Sequence, residues 1–262
     1  MRFCVSIVRA AATSWFEDEG FWESIYPFTF PAERFAAAEA EVAELAKLTG
    51  SPFRRVLDLC CGPGRHSIPL ARLGAQVTAV DRSPFLLEKA KSRAKLEKVD
   101  IEWVQEDMRS FVRPDEFDLA INLFTSFGYF GDEENLTVPQ NVFRSLAPGG
   151  FFIIDILGKE IVAQGFASSA VEKRADGSTL VQTREIIDDW YRIRSHWFLI
   201  RDQKVAEVTF DTALYSGREL ADLLKKAGFE NVKLYGSLQG IPYDLKAPRL
   251  VAVAQKQRPS TP

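Results

Sequence analysis

The sequence lacks the features that define several classes of protein. It has only three cysteines, Cys4, Cys60 and Cys61, and two of them are adjacent. This arrangement excludes a disulfide framework and is typical of a reducing compartment, so we expect a cytoplasmic protein. Lysine and arginine together number 33 against 36 acidic residues, a net charge of −3. We therefore expect no nucleic-acid partner, because such partners are usually met by a basic excess.

Long hydrophobic runs are also absent. No apolar stretch approaches the roughly 20 residues that a membrane helix needs, so we expect no membrane partner. Ser6 and Arg9 interrupt the apolar part of the first twelve residues, which makes this segment a poor signal peptide; we interpret it as a loosely docked terminus. With 262 residues, 46% of them hydrophobic, the chain is long enough for one large α/β domain with an insertion.

The most informative stretch runs from Arg54 to Asp81. An apolar run ends at Asp58, a glycine turn follows at Gly62 and Gly64, and a helical pattern leads to a second apolar run that ends in Asp81. This order predicts a strand, a glycine loop, a helix and a second strand with an acidic cap. Such a unit binds nucleosides, because the loop brings backbone N–H groups close to a ligand and the final carboxylate can accept both ribose hydroxyls.

Two ligands compete for this unit. A nicotinamide dinucleotide site would have a third glycine where this chain has Ser67, so that fingerprint is incomplete. The carboxylate of Asp58 would repel a pyrophosphate, whereas it suits the ammonium and sulfonium of S-adenosylmethionine. A turn that binds no nucleotide is the third alternative, although the Asp58-to-Asp81 arrangement is uncommon in such turns. We favour S-adenosyl-L-methionine as the cofactor.

The remaining pattern predicts the fold class. Strands and helices alternate, which indicates an α/β protein with a doubly wound, mostly parallel seven-stranded sheet of the Rossmann-like type. Residues 165–214 depart from this pattern: they are rich in β-branched and aromatic residues, with turn signals at Asp176-Gly177 and Asp202-Gln203. We expect an antiparallel β ribbon inserted after the fifth strand. The predicted organisation is an N-terminal lid and helix over 1–50 and a Rossmann-like domain over 51–262, with the ribbon at 165–214.

The segment from Val56 to Gly64 resembles the first motif of the class I S-adenosylmethionine-dependent methyltransferases, and from Pro31 onward the chain is similar to their single-domain small-molecule type. The resemblance implies methyl transfer to a nitrogen or oxygen of a small-molecule acceptor by in-line displacement. It also implies site residues. Asp81 would take the ribose hydroxyls and Arg82 would lie against the adenine. Further residues would bind the adenine edge (Asp107 and the Met108 backbone) or lie beside the methyl donor (Asn122 and Leu123).

Further cofactor-binding candidates lie around the glycine turn. Cys60 and Cys61 lack the spacing of a metal site, so we expect no metal and interpret them as small apolar packing beside the cofactor. His66 would either touch the methionyl carboxylate or lie on the surface. The N-terminal segment is dense in aromatic residues, which would form either a lid with Tyr26 at the methionyl end of the cofactor or a docked helix without contact.

Two residues are candidates for the acceptor side of the site. Tyr129 and His196 are the catalytic candidates: Tyr129 would line the acceptor pocket or its rim, and His196 would be a base facing the acceptor or a solvent-facing strand residue. The fourth-strand motif from Asn122 to Tyr129 lacks the Asn-Pro-Pro-Tyr pattern of enzymes that methylate amide or base nitrogens. An RNA or DNA methyltransferase and a non-catalytic cofactor-binding regulator are the alternatives. The ribbon aromatics would pack on the core, on a substrate or on a second copy, so a homodimer stays open.

Overall fold

The computed structural model describes residues 15–174, 177–202 and 204–258. Within them lie eleven strands: β1 (Arg55–Leu59), β2 (Gln76–Asp81), β3 (Glu102–Gln105), β4 (Phe117–Asn122), β5 (Leu146–Ile156), β6 (Ser169–Lys173), β7 (Thr179–Ile187), β8 (Arg192–Arg201), β9 (Lys204–Ala213), β10 (Asn231–Tyr235) and β11 (Leu250–Gln255). A short 3-10 helix (Trp15–Glu17) precedes the helices α1 (Glu19–Thr29), α2 (Ala32–Thr49), α3 (Ser67–Arg72), α4 (Pro84–Glu97), α5 (Asp132–Ser145), α6 (Lys159–Gln164) and α7 (Gly217–Lys226).

Seven strands form one sheet in the order β10-β11-β5-β4-β1-β2-β3. Neighbouring strands in the part β5-β4-β1-β2-β3 are parallel, whereas β11 runs antiparallel to both β5 and β10. This arrangement confirms the predicted Rossmann-like class. Strand order reverses between β1 and β4, and ligands of open α/β sheets bind at such a point, outside the carboxyl ends of the strands.

Local signals explain where the helices begin. The Ser83 hydroxyl accepts a hydrogen bond from the Leu86 N–H, and Pro84 occupies the first helical position of α4. Ser216 and Glu219 form a reciprocal capping box at the start of α7. These caps fix the residues at which α4 and α7 begin.

The insertion is a larger unit than the predicted ribbon. It is a four-stranded antiparallel sheet, β6-β7-β8-β9, and α6 lies between it and β5. The predicted turns at Asp176-Gly177 and Asp202-Gln203 fall partly outside the described residues. A two-stranded ribbon could not bury the apolar side chains of this segment, but four strands present one full face for packing.

That face packs on the N-terminal helix. Phe21, Ile25 and Phe28 of α1 share a buried cluster with Leu180, Leu199 and Val208 of the small sheet, together with Trp15. The indole N–H of Trp15 donates to the Asp211 carbonyl (3.2 Å). We call this assembly, the 3-10 helix with α1 and β6–β9, the roof. No helix in the described part of the chain is both long and apolar enough to span a bilayer.

Candidate active site

A cavity of about 400 Å³ lies between the carboxyl ends of the large sheet and the roof. On the sheet side it is lined by residues of the loops after β1, β2, β3 and β4: Leu59, Cys60, Gly62, Asp81, Arg82, Glu106, Asp107, Met108, Phe124, Thr125, Ser126, Phe127, Tyr129 and Phe130. On the roof side it is lined by Trp15, Phe16, Phe21, Trp22, Ile25, Thr29, Gln182, Arg184, Ile193, Ser195, Trp197, Phe210 and Thr212. The roof therefore forms a wall of the cavity at the strand-order reversal.

The glycine turn after β1 is fixed by bonds to β2. The Cys61 N–H donates to the Val80 carbonyl (3.0 Å), and the Gly62 N–H donates to Oδ2 of Asp81 (2.7 Å). Gly62 has a φ of 55° and lines the cavity. Gly64 does not line it; a Cβ at Gly64 would approach Trp103 to 3.0 Å, so this glycine allows close packing of the turn on the sheet.

Asp81 connects the loops that follow β1 and β2. Besides the bond from Gly62, its Oδ1 accepts from the Ser83 N–H (2.9 Å). Burial raises the pKa of Asp81 to about 6, helped by the charges of Asp58 and Glu19, although the two backbone bonds act in the opposite direction. Each carboxylate oxygen can accept more than one hydrogen bond, so Asp81 retains acceptor capacity toward the cavity.

Asp58 and His66 do not line the cavity, so their contacts with the cofactor stay a prediction. Asp58 is buried beneath the turn, where it accepts a hydrogen bond from the Ser67 hydroxyl, and burial raises its pKa. His66 is 5% exposed, and its Nε2 lies 2.7 Å from a carboxylate oxygen of Glu41 in α2. Burial alone would raise the pKa of Glu41, but His66 and Arg65 outweigh it and hold that pKa at about 2. Both residues therefore brace the turn from below.

Arg82, Asp107 and Met108 line the cavity beyond β2 and β3, as predicted for the adenine end. Asp107 accepts from the Arg109 guanidinium (2.7 Å) and from Arg82 (3.1 Å). These hydrogen bonds hold the pKa of Asp107 below its ordinary value, although burial opposes them. Arg82 also pairs with Glu17 of the roof (2.8 Å), which ties the roof to this end of the site.

The two cysteines of the turn differ in position. Cys60 lines the cavity with its sulfur 3.4 Å from that of Met108, whereas Cys61 is buried and does not line it. Burial raises the pKa of both thiols well above the ordinary value, so both stay protonated near neutral pH. Among the residues that the structure describes, no three His, Cys, Asp or Glu side chains cluster as metal ligands.

Asn122 and Leu123 are buried at the end of β4 and do not line the cavity; the residues that follow them do. The Asn122 amide donates to the Leu59 and Ser126 carbonyls, both at 3.2 Å, and so positions the next loop. There Phe124 and Thr125 have positive φ angles of 65° and 60°. This conformation costs energy in non-glycine residues and is common at functional sites.

Asp155 and Arg249 hold that strained loop in place. Oδ2 of Asp155 accepts from the Phe124 N–H (3.1 Å), and the Asp155 carbonyl accepts from the Thr125 N–H (2.9 Å). Arg249 donates to Oδ1 of Asp155 (2.7 Å) and to the Thr125 hydroxyl (2.8 Å). Thr125 and Arg249 both line the cavity, so the brace is part of its wall.

The two tyrosines that were predicted as site residues lie in different places. Tyr129 lines the cavity, with its ring centroid 4.6 Å from that of Trp15, and burial raises its pKa above the ordinary value. Tyr26 does not line the cavity: its ring meets Phe85 of α4 edge-on, with centroids 5.6 Å apart. Phe30 of the same N-terminal segment lies beside the glycine turn instead, 3.5 Å from where a Cβ of Gly62 would be.

His196 occupies the second of its two predicted places, the face of the strand that points away from the cavity. It alternates along β8 with Ser195 and Trp197, which line the cavity, so its side chain lies on the opposite face of the small sheet. Its Nε2 lies 2.8 Å from a carboxylate oxygen of Glu207 on β9. The sequence left both places open because the period of two along a strand does not say which side chains face inward.

Several cavity residues have no clear signal in the sequence: Gln182, Arg184, Ser195, Thr212, Arg249 and Phe30. Most of these lie on the small sheet, whose register decides which side chains point inward. The pairing Arg184 with Ser195 and Gln182 with Trp197 places these four on one face. The alternation of side chains along each strand identifies this face only when the register between the strands is known, and the sequence does not give that register.

The sequence and fold match known methyltransferases. Residues 56–150 match the family described as "Methyltransferase domain". The malonyl-[acyl-carrier protein] O-methyltransferase of Salmonella typhimurium is 30% identical over 195 residues, which cover 72% of each chain. The cypemycin N-terminal methyltransferase of a Streptomyces species is 27% identical over 207 residues, 78% of this chain and 84% of that one.

A solved structure supports the same fold. An S-adenosylmethionine-dependent methyltransferase from Clostridium acetobutylicum superposes with a TM-score of 0.76 at 16% identity, covering 91% of this chain and 97% of that chain. Fold and turn together define a Rossmann-like protein of the methyltransferase class. With the sequence relationships, the chain belongs to the class I S-adenosylmethionine-dependent methyltransferases. It is an enzyme that uses S-adenosylmethionine.

The residues that line the cavity fit that cofactor. The loops after β2 and β3 present three carboxylates to it, those of Asp81, Glu106 and Asp107. Such a set accepts hydrogen bonds from ribose hydroxyls and an amino group and attracts a cation, but it would repel a pyrophosphate. Thr29 also lines the cavity, and its hydroxyl is buried without a hydrogen-bond partner in the described part of the chain.

Proposed function

We propose that this enzyme transfers a methyl group to a nitrogen of a small-molecule acceptor. The observation that carries the proposal is the acceptor wall of the cavity. This wall consists of the cavity residues of the small sheet, Tyr129 and the loop braced by Arg249. Its ionisable and hydroxyl groups are Thr125, Ser126, Tyr129, Arg184, Ser195, Thr212 and Arg249, and within the described residues it presents no histidine or carboxylate. A volume of about 400 Å³ lies in the range of small-molecule sites.

The composition of this wall favours an amine acceptor over a hydroxyl. An alcohol or phenol needs a base to take its proton as it attacks, whereas an amine with a free-base fraction does not. The buried phenol of Tyr129 stays protonated at neutral pH because its pKa is raised. It can donate a hydrogen bond and orient the acceptor, but it is a poor base. The relatives named above include an N-methyltransferase and an O-methyltransferase, so identity alone does not choose between them.

The chain's own residues provide binding, orientation and exclusion of water. Bound S-adenosylmethionine supplies a methyl group that is already electrophilic on its sulfonium. Asp81 and the Gly62 turn hold the nucleoside end, and the loop braced by Arg249 forms the wall beside the acceptor. The roof excludes water, which matters because alignment of donor and acceptor is the main requirement for in-line displacement.

The charge of the insertion makes nucleic acid a weaker candidate for the acceptor. The insertion from residue 165 to 212 holds seven basic and eight acidic residues, a net charge of −1. A nucleic-acid acceptor would gain little from counterion release on such a surface. We therefore propose a small-molecule partner, bound under the roof.

The decisive experiment is a screen of matched amine and hydroxyl compounds that share a carbon skeleton. Formation of S-adenosylhomocysteine is followed, and the product is identified by mass spectrometry. Turnover of amines and not of their hydroxyl partners is expected, with an Asp81→Ala variant at limiting cofactor concentration as the control of reduced turnover. Turnover of the hydroxyl compounds alone would contradict methyl transfer to a nitrogen. Cofactor binding without turnover of any compound in the screen would favour a non-catalytic regulator.

We expect cofactor affinity to depend on pH through Asp81. Its folded pKa of about 6 lies above the ordinary 3.8, so its contribution to folding stability is present below pH 3.8 and is lost as pH rises through about 6. Cofactor binding has the opposite sign, because ribose hydroxyls favour the ionised carboxylate. Affinity should therefore fall below about pH 6, by at most about tenfold for each pH unit, the limit for one linked proton.

Titration calorimetry with S-adenosylhomocysteine from about pH 5 to about pH 8 measures this dependence. The control is Asp81→Asn, which cannot ionise and should bind more weakly with a flat profile. An unchanged slope in that variant would assign the titration to another group.

We expect His196→Gln to leave turnover within about twofold, because a substitution on the outer face of the sheet, away from the cavity, usually changes little. His196 and Glu207 face away from the cavity and contact no residue of the acceptor wall through their hydrogen bond. Steady-state rates of the variant and the wild type measure the effect on turnover. A loss of a hundredfold or more at unchanged thermal stability would restore His196 as a catalytic residue.

A further inference from the structure

We propose that the methyl acceptor carries an anionic oxygen group, a carboxylate or a phosphate, that binds Arg184 in the roof. The inference rests on the proposed function, because it specifies the chemical class of the same acceptor. It concerns the half of the cavity formed by the small sheet, away from the glycine turn.

Arg184 is set into the inner face of that sheet. It pairs with Ser195 across β7 and β8, and both side chains line the cavity. Eight residues of the small sheet line it, and Arg184 is the ionisable one among them: Gln182, Arg184, Ile193, Ser195, Trp197, Phe210, Thr212 and Ala213. The register therefore places a single positive charge in an otherwise neutral wall.

The other cavity arginines already have carboxylate partners. Arg82 pairs with Glu17 and Asp107, and Arg249 pairs with Asp155. For Arg184, no carboxylate within the described ranges lies closer than 4.0 Å; its guanidinium donates to the Gln182 amide oxygen (3.2 Å). A partly buried guanidinium without a counterion retains the capacity to bind a planar or tetrahedral oxyanion through charge-assisted hydrogen bonds.

A tryptophan of the same wall lies beside Arg184. Trp197 lines the cavity and pairs with Gln182, next to Arg184 in the ladder. Its indole N–H is buried, so we assign the anionic group to Arg184 alone. Around these groups the wall is aromatic, with Phe210, Tyr129 and Trp15, so it suits an apolar body attached to an anionic group.

The charges across the cavity are arranged with opposite signs at its two sides. Asp81, Glu106 and Asp107 follow strands of the large sheet, and Arg184 stands in the roof. Because the three carboxylates are assigned to the ribose and adenine of the cofactor, Arg184 is the charge that is left for the acceptor, without a carboxylate partner among the described residues. An acceptor whose anionic group binds Arg184 would point its other end toward the sheet, where the methyl donor binds.

The test uses benzoate, phenyl phosphate and benzamide as probes, titrated by calorimetry into the protein saturated with S-adenosylhomocysteine. At least one anion is expected to bind about tenfold more tightly than the neutral amide, as a charge-assisted pair would give. Whether benzoate or phenyl phosphate binds more tightly distinguishes a carboxylate from a phosphate. Arg184→Gln should remove the preference for the anion, and Arg184→Lys should retain part of it.

Arg194→Gln is the matched control. Arg194 lies on the other face of the same sheet, pairs with Asp211 (2.9 Å) and does not line the cavity, so its loss should leave the preference unchanged. Equal affinities for anions and benzamide in the wild type, or a preference that survives Arg184→Gln, would overturn the inference. Affinity for S-adenosylhomocysteine is measured first in each protein; its absence in the wild type would count against the proposed function instead.

Discussion

Replacing Asp81 by alanine is expected to weaken S-adenosylmethionine binding by about 1.5–3 kcal/mol, which is about ten- to 150-fold in the dissociation constant. The carboxylate accepts from the Gly62 and Ser83 N–H groups and lines the cavity. Its removal takes away the acceptor for the ribose hydroxyls and also the bond that fixes the glycine turn. Titration calorimetry with the cofactor measures the change directly.

Folding stability should change far less than affinity. Two effects oppose each other: alanine leaves two backbone N–H groups without their acceptor, but it also removes a carboxylate whose pKa is raised by burial to about 6. Thermal unfolding without ligand would show a small shift of either sign. Asp81→Asn is the matched control, since it retains an acceptor oxygen without the charge and should lie between alanine and wild type. An alanine variant with wild-type affinity would remove Asp81 from the cofactor site.

Asp81 also illustrates what could be predicted from the sequence. Its position depends on a strand, a glycine turn and a second strand that are contiguous in the chain, and parallel strands bring their carboxyl ends to one edge. Arg82, Asp107 and Met108 were implied by the family resemblance, and all three line the cavity. They follow β2 and β3 at the same edge of the sheet, which is why these positions agree with the topology.

Side-chain direction could not be predicted in the same way. Asp58 ends a buried strand and His66 begins a helix, yet both turn away from the cavity toward Ser67 and Glu41. Tyr26 and His196 show the same limit: each was predicted with two possible places, because the inward face of its element depends on what packs against it, and neither lines the cavity. Arg184 was missed because its direction depends on the register of the small sheet.

The roof raises a further expectation, because its interior is a cluster separate from the cores of the large sheet. Leu199 on β8 is 2% exposed, packs in this cluster and does not line the cavity. Leu199→Ala should cost about 2–5 kcal/mol of packing, the range for a buried leucine. Since the cluster joins α1 to the small sheet, the loss should loosen both together and leave β1, β2, β4 and β5 intact.

Hydrogen exchange followed by mass spectrometry tests this separation. Amides of α1 and β7–β9 should lose protection in Leu199→Ala, whereas those of the large sheet should keep it. Turnover should fall by at least about tenfold, because a loosened roof admits water and misaligns the acceptor. The matched control is Leu96→Ala on α4, where the side chain is 82% exposed and its loss should change neither measurement. Equal loss of protection in both sheets would show that roof and large sheet unfold as one unit, and full protection of α1 would show that it does not depend on the small sheet.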